Sequence, residues 1–275
     1  MSLVLNLNFD KFEHLNIDYE GPLAKNEKLK SKETTAKQKA KKNIHQWRLC
    51  PAGEHWVRTH KTRIKPSKKH PSGRVTTRQG HCRLNPTHRD QLYPSEIQEM
   101  SSLFTSLKNK PCPLSLNFSN GSKYDDLIAG WTQYWNDVLK PSPLLSPNLA
   151  KALITSESVF DQKILANKKN SNSARGLMQI TNETRKILGD EKGELRDHYL
   201  TLTKKDLNDP SNNICAGIRW LHRKREIASS LIGKKATWYE AVAEFKGTRT
   251  ESKQRAKVLM DRFNSYLERY EKCGK

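Results

Sequence analysis

Large apolar residues recur at helical spacing in the second half of the chain, and no other feature of the sequence restricts the fold as strongly. The first set consists of Leu127, Trp131, Tyr134, Trp135 and Val138. Residues three, four or seven positions apart share one face of an α-helix, so this set predicts a helix packed on a core. We interpret its two tryptophans as core residues rather than as platforms that stack on sugars.

The helical pattern continues beyond a proline-rich break at residues 141–147. Asp209 or Ser211 is suited to cap the start of another helix. Apolar spacing predicts three further helices, over residues 214–221, 238–245 and 258–270. The sequence therefore predicts a mainly α fold.

Glu157 is the strongest candidate for a catalytic residue. It ends the apolar run of residues 153–157, and a glycine-led segment, residues 176–180, follows nineteen residues later. An acid that lies against apolar side chains loses hydration in its charged form and therefore keeps a proton more readily. A protonated carboxyl group is what a general acid needs to protonate a glycosidic oxygen.

Three ordered motifs, at residues 156–160, 174–181 and 213–221, resemble the soluble, goose-lysozyme-like lytic transglycosylases. The resemblance covers roughly residues 148–250. It implies a lysozyme-like helical catalytic domain that cuts the β-1,4 bond between N-acetylmuramic acid and N-acetylglucosamine in peptidoglycan and forms a 1,6-anhydro ring. In this family one glutamate acts first as acid and then as base, and no cofactor takes part. By resemblance, Glu157 has both roles.

The same resemblance assigns substrate-binding residues. Gln179 would bind the glycan strand, Met178 would line the groove or the core, and Ser173 competes with Ser171 for the sugar acetamide. Phe245 stands where the family usually has a tyrosine whose hydroxyl reaches toward the acid. Tyr239 is an alternative donor of that hydrogen bond.

The sequence shows no clear second catalytic carboxylate. Asp161 and Glu183 are better interpreted as a helix-start or surface charge, and Glu244 has no evident place. An intramolecular hydroxyl group can replace an activated water, so one carboxylate suffices for transglycosylation. A lysozyme-like hydrolase remains the second hypothesis, and a non-catalytic glycan-binding protein the third.

Composition divides the chain into four predicted segments: a basic arm or linker at 1–43, a basic module at 44–92, connecting and lead helices at 93–147 and the catalytic domain at 148–275. Residues 25–90 hold nineteen Lys or Arg against four acids, in a chain of formal net charge +21. Such a region binds polyanions. We favour wall polymers over nucleic acid as its partner.

The basic module contains Cys50, His60, His70, His81 and Cys82. Two thiolates and two imidazoles match the structural shell of zinc, although the spacing is not that of a standard finger. A disulfide between Cys50 and Cys82 and a small β-rich module held by ordinary packing are the alternatives. Five scattered cysteines suggest folding in a reducing cytoplasm, with Cys215 as a buried free thiol.

The N-terminal residues lack the pattern of a secretory signal, and no stretch is long enough to cross a bilayer. We therefore expect synthesis in the cytoplasm and action in the periplasm or cell wall, after secretion by another route or after lysis. An antibacterial effector with an immunity protein or a secretion-machine component as partner fits this expectation, and so does a phage-type lysin.

Overall fold

The computed structural model describes residues 45–273 of the chain, so the predicted arm at 1–43 lies outside the described residues. Within that range, helices dominate and short strands occur mainly near the start, as the sequence predicts. The strands are β1 (Glu54–Val57), β2 (His60–Ile64), β3 (Arg74–Arg78), β4 (His81–Leu84), β5 (Asp90–Leu92) and β6 (His198–Leu200). The helices are α1 (Pro94–Ser101), α2 (Asp125–Leu139), α3 (Pro147–Ser158), α4 (Asn182–Leu188), α5 (Pro210–Ile232), α6 (Trp238–Phe245) and α7 (Lys253–Glu271).

Two tryptophans of α2 fix this helix against α5. Trp131 and Trp135 are at most 1% exposed, which confirms them as core residues. Their indole N–H groups donate to Ser211 Oγ at 2.8 Å and to the Cys215 carbonyl at 3.0 Å. A buried indole needs such a partner, so these two bonds set the position of α2 on α5.

The helix ends follow local signals in the sequence. α3 begins at Pro147, whose missing N–H is harmless in a first turn. Of the two cap candidates for α5, Asp209 is the cap, and it accepts from the Asn212 N–H at 3.0 Å. Thr237 and Glu240 form a capping box at α6. The predicted helices are confirmed.

The cysteines contradict the expectation of a reduced chain. Cys50 is bonded to Cys82 and Cys112 to Cys273, while Cys215 is free and buried as predicted. The partners are 32 and 161 residues apart, so no spacing motif reveals the pairing. Paired cysteines of this kind are typical of oxidising compartments. The expectation that these four cysteines stay reduced was therefore wrong.

The zinc hypothesis is also wrong for the proposed set. The sulfurs of Cys50 and Cys82 are bonded to each other and cannot act as thiolates. His60, His70 and His81 are all exposed. Among residues 45–273 there is no group of three or more His, Cys, Asp or Glu side chains placed to hold a metal ion. Of the three alternatives, the disulfide is correct.

Strands β1 to β4 form one two-stranded ribbon. β1 pairs with β4 and β2 pairs with β3, both antiparallel, so that two chain segments run out and back. Ile64 and Val75 lie in these strands but are 37% and 65% exposed. The predicted strands are confirmed, but these two residues form no core. We refer to residues 54–84 as the basic ribbon.

The segment after the ribbon joins the helices through strand pairing. β5 lies parallel to β6, with Asp90 opposite His198 and Gln91 opposite Tyr199. The Tyr199 hydroxyl donates to Gln91 Oε1 at 2.6 Å. Residues 45–92 thus contact the helical region directly, and the predicted division of the chain into four segments stays a prediction.

A buried arginine stabilises the same junction. Arg48 forms ion pairs with Asp90 and with the wholly buried Glu96, the latter at 3.0 Å. Burial raises the pKa of Glu96 to about 7 despite Arg48. The pKa of Asp90 is lowered although burial opposes this, because it receives hydrogen bonds from both His198 and Arg48. Arg48 therefore bridges the two carboxylates.

None of the helices between residues 45 and 273 combines the length and the apolar character that a transmembrane span needs.

Candidate active site

Glu157 lies one residue before the end of α3. The preceding turns of this helix are buried, including Leu153 and Ile154, whereas the side chain of Glu157 is 17% exposed. The buried turns of the helix therefore fix its position, and its last turn places the Glu157 carboxylate at the edge of the core, where solvent can reach it. This placement agrees with the prediction of an acid at the end of an apolar helix.

The backbone turns sharply directly after the acid. Val159 and Phe160 both have positive φ values, 46° and 64°. A β-branched residue such as valine rarely adopts this conformation, which costs about 1–3 kcal/mol per residue. The wholly buried ring of Phe160 helps to hold the turn in place. The two residues fix where α3 ends and therefore where the carboxylate points.

Helix α7 supports α3 from behind. The hydroxyls of Thr155 and Tyr270 lie 3.0 Å apart, and Asn148 Nδ2 donates to the Tyr270 carbonyl at 3.3 Å. The disulfide between Cys112 and Cys273 lies just beyond the end of α7. These contacts restrain the helix that carries Glu157, since both side chains of the Thr155–Tyr270 pair are buried.

Lys246 is the main site residue that the sequence analysis missed. It caps the C-terminus of α6, and its ammonium Nζ lies 2.5 Å from Glu157 Oε1. The lysine side chain is only 4% exposed. A buried ammonium group needs a charged or polar partner, so Lys246 and Glu157 hold each other in place. Lys246 directly follows Phe245, so the departure from the family motif was the available signal.

The glycine-led turn at residues 175–180 is fixed by Asn213 of α5. The Asn213 amide donates to the carbonyls of Arg175 and Leu207 at 3.0 and 2.9 Å, and its oxygen accepts from the Met178 N–H at 2.8 Å. Gly176 has a φ of +71°, and a Cβ there would lie 2.3 Å from Asn213 Nδ2. Glycine is thus required for the approach of Asn213. Asn213 opens one of the three motifs, but no role was predicted for it.

The structure separates the predicted residues of this turn into two groups. Met178 is wholly buried and packs closely on Gly217 of α5, so of its two predicted positions, groove or core, it takes the core. Leu177 and Ile180 are buried, as predicted. Gln179 is half-buried, with its amide Nε2 bonded to the Gly176 carbonyl at 2.8 Å. Its position at the surface of the turn keeps it a candidate for substrate binding.

The remaining substrate-binding candidates occupy different surroundings. Ser173 Oγ accepts from the Asn167 N–H and donates to its carbonyl, at 3.1 and 3.0 Å, and so closes its own loop. Phe245 is partly buried and packs on the core next to Lys246. The Tyr239 hydroxyl accepts from Asn264 at 3.3 Å, and the described residues show no hydrogen bond from it to Glu157. Lys246 supplies that hydrogen bond.

Other carboxylates near the motifs have partners of their own. Asp161 accepts from the Lys163 N–H at 2.9 Å in a turn, and Glu183 is exposed on α4. Glu244 pairs with Lys224 and Arg249, both at 3.4 Å. Among the described carboxylates near the three motifs, only Glu157 pairs with a buried lysine, Lys246.

An open cleft of about 490 Å³ adjoins the turn that follows Glu157. Val159 and Asp161 form one side of it, and residues 117–120 form the other. The Phe118 ring lies 6.3 Å from the ring of Phe160. Polar side chains beside apolar ones suit a sugar. Val159, which lines the cleft, follows Glu157 by two residues in the chain, while Glu157 itself is not a lining residue.

A mainly helical lobe with one partly exposed glutamate at the end of a buried helix defines a lysozyme-like domain. Residues 140–257 match the family model described as the transglycosylase SLT domain. This part of the chain is an SLT domain, and it covers less than half of the sequence. Such a domain supports lytic transglycosylase activity on peptidoglycan. Comparison with curated proteins finds no match.

Proposed function

We propose that this protein cleaves the β-1,4 bond between N-acetylmuramic acid and N-acetylglucosamine and releases a 1,6-anhydromuramic acid end. The observation that carries the proposal is the arrangement around Glu157. Its carboxylate stands at the end of a buried helix, beside a strained turn and an open cleft, with Lys246 at 2.5 Å. One acid in such a place suits a reaction that needs no second carboxylate.

In the proposed reaction, the Glu157 carboxyl group first gives its proton to the glycosidic oxygen, and the bond from that oxygen to the muramyl C1 breaks. The resulting Glu157 carboxylate then removes the proton of the muramyl C6 hydroxyl, whose oxygen bonds to C1. Proton and electron pairs balance without water. The Lys246 ammonium stabilises the Glu157 carboxylate that exists between the two steps. Because it also stabilises the carboxylate before the reaction, Glu157 has to be protonated before it can act as the acid.

The groove residues have narrower roles in this proposal. The Nε2 of Gln179 is committed to its own turn, so its side-chain oxygen is the group we assign to the substrate. Phe245 packs its ring on the core and directly precedes Lys246 in the chain. Ser173 contributes by shaping the 167–173 loop. Lys246 replaces the tyrosine hydroxyl that the resemblance leads one to expect.

We further propose that the protein acts outside the cytoplasm, as an antibacterial effector or a phage-type lysin. Two disulfides and a basic ribbon ahead of the SLT domain support action at the envelope. Expression in the periplasm of a susceptible bacterium should cause lysis with the wild type and not with Glu157→Gln. For the effector role, an immunity protein encoded with it should prevent lysis.

Mass spectrometry of purified peptidoglycan digests tests the reaction. We expect anhydro-muropeptides from the wild type and none from Glu157→Gln. Glu183→Gln is a matched control, because it also neutralises a carboxylate near the motifs but lies exposed on α4 and outside the cleft. Reducing-end products would identify a hydrolase instead. Absence of products from the wild type would favour glycan binding without turnover.

A further inference from the structure

The basic ribbon carries a concentration of positive charge that the catalytic site does not use. The ribbon residues, 54–84, contain nine Lys or Arg and one acid, Glu54. The ribbon spans ten residue steps from Glu54 to Ile64, roughly 30 Å at the rise of an extended strand. The positive charges are therefore spread along the length of the basic ribbon and do not form a single compact cluster.

The ribbon is anchored at one end and exposed at the other. Its base is held by the Cys50–Cys82 disulfide and by an ion pair between Arg58 and Glu99 at 2.7 Å. Trp56 packs across the ribbon on Gly80, where a Cβ would lie 2.3 Å from the indole. Beyond these contacts, nearly every residue of β2, β3 and their connection is exposed. The outer half is thus presented on a fixed base.

Between residues 55 and 273 no acidic partner faces the charges of the outer half. Its basic side chains are all exposed, and no carboxylate in that range forms an ion pair with them. They are Lys61, Arg63, Lys65, Lys68, Lys69, Arg74 and Arg78. Like charges placed together without partners repel one another and lower stability. An anion that binds to the ribbon would reduce this repulsion, because it supplies the negative charge that the surrounding residues do not.

Both faces of the ribbon are charged. A flexible polymer can contact both faces at once, whereas a flat surface can contact only one, so we favour a polymer as the binding partner. Arg74 and Arg78 alternate with Val75 and Thr77 along β3, while Lys61 and Arg63 lie on the opposite face of β2. No Phe, Trp or Tyr occurs between residues 58 and 80, so a platform for stacking nucleobases is absent from this arm. These features suit flexible chains that carry separated anionic groups.

We propose that the basic ribbon docks on the carboxylates of the peptide stems of peptidoglycan. This inference rests on the proposed function, because it takes the substrate polymer as the occupant. Each stem presents carboxylates beside the glycan strand, and a contact there raises the local concentration of strand at the SLT domain. Guanidinium and ammonium groups bind carboxylates, and exposed contacts of this type weaken with salt.

A sedimentation assay with insoluble peptidoglycan tests the proposal, using Glu157→Gln as background so that no strand is cut. The test variant neutralises four ribbon charges with Lys61→Gln, Arg63→Gln, Arg74→Gln and Arg78→Gln. The control variant neutralises four exposed lysines elsewhere with Lys186→Gln, Lys192→Gln, Lys205→Gln and Lys253→Gln. Circular dichroism verifies that both remain folded.

We expect the ribbon variant to bind at least about tenfold more weakly and the control to stay within about threefold of the background, since four contacts are lost together. Peptidoglycan whose carboxylates have been converted to amides should bind the background protein equally weakly. Equal binding of both variants, or full binding to amidated peptidoglycan, would overturn the proposal. Tighter binding to duplex DNA than to peptidoglycan at the same salt would also do so.

The assay separates this inference from the proposed reaction. A wild-type protein that yields no anhydro-muropeptides but binds peptidoglycan through the ribbon would refute the reaction and support the docking role. If the wild type yields anhydro-muropeptides but the ribbon variant binds peptidoglycan as well as the background protein does, the reaction is supported and the docking role is refuted.

Discussion

The ion pair between Lys246 and Glu157 makes a quantitative prediction about stability. Lys246→Met keeps an unbranched side chain of similar length but removes the ammonium group. Removing one partner of a fully buried pair costs about 3–5 kcal/mol, whereas exposed pairs contribute about 0.2–1 kcal/mol. Lys246 is 4% exposed and Glu157 17%, so we expect an intermediate loss of about 2 kcal/mol.

Urea unfolding followed by tryptophan fluorescence measures this loss. With a slope of about 2–3 kcal/mol per molar urea, the midpoint should fall by roughly 1 M. Lys224→Met is the matched control, because its Nζ is 3.4 Å from Glu244 in a more exposed pair, and it should cost less than about 1 kcal/mol. Lys246→Arg, which keeps the charge, should recover part of the loss.

A double-mutant cycle isolates the pair itself. Glu157→Gln combined with Lys246→Met removes both charges, so the double variant should be more stable than the two separate losses predict, by at least about 1 kcal/mol. A coupling free energy near zero, or a Lys246→Met variant as stable as the wild type, would refute the argument that the two side chains hold each other.

Three further predictions concern the surrounding fold. Gly176→Ala should lower the melting temperature and the activity, because its Cβ would lie 2.3 Å from Asn213 Nδ2 at a φ of +71°; a fully stable variant would contradict this. The raised pKa of Glu96, about 7 against an ordinary 4.5, means that the folded state binds more protons between these values. Stability should therefore fall as pH rises through that window, by up to about 1.4 kcal/mol per pH unit, and Glu96→Gln should flatten the profile in urea titrations. Replacing Cys112 and Cys273 by serine should reduce the free energy of unfolding by about 3–5 kcal/mol, as seen by comparing midpoints with and without reductant.

Helices were predictable from the sequence because their signals are local. Apolar spacing, the proline at the start of α3 and the Asp209 cap each act within a few residues. Glu157 could be chosen for the same reason, since its position at the end of an apolar run belongs to one short segment. Its ion pair could not, because Lys246 lies 89 residues further along the chain.

The errors have a common physical origin in side-chain direction and distant pairing. Met178 and Gln179 are adjacent, and apolar character alone did not show that one points into the core and the other to the surface. Cys50 and Cys82 suited either a metal or a disulfide, because both need two sulfurs brought together by the fold. The bond between the two sulfurs and the exposed positions of His60, His70 and His81 decide between them.

The disulfide between Cys112 and Cys273 also changes the topology of the helical lobe. It closes a covalent ring of 161 residue steps that includes all the helices from α2 to α7. A single protease cut in an exposed loop inside that ring, such as residues 167–173, would open the ring without separating the two pieces. The nicked chain would keep Glu157 and Lys246 on one covalent molecule. In an environment rich in proteases, the lobe can therefore lose a peptide bond without dissociating.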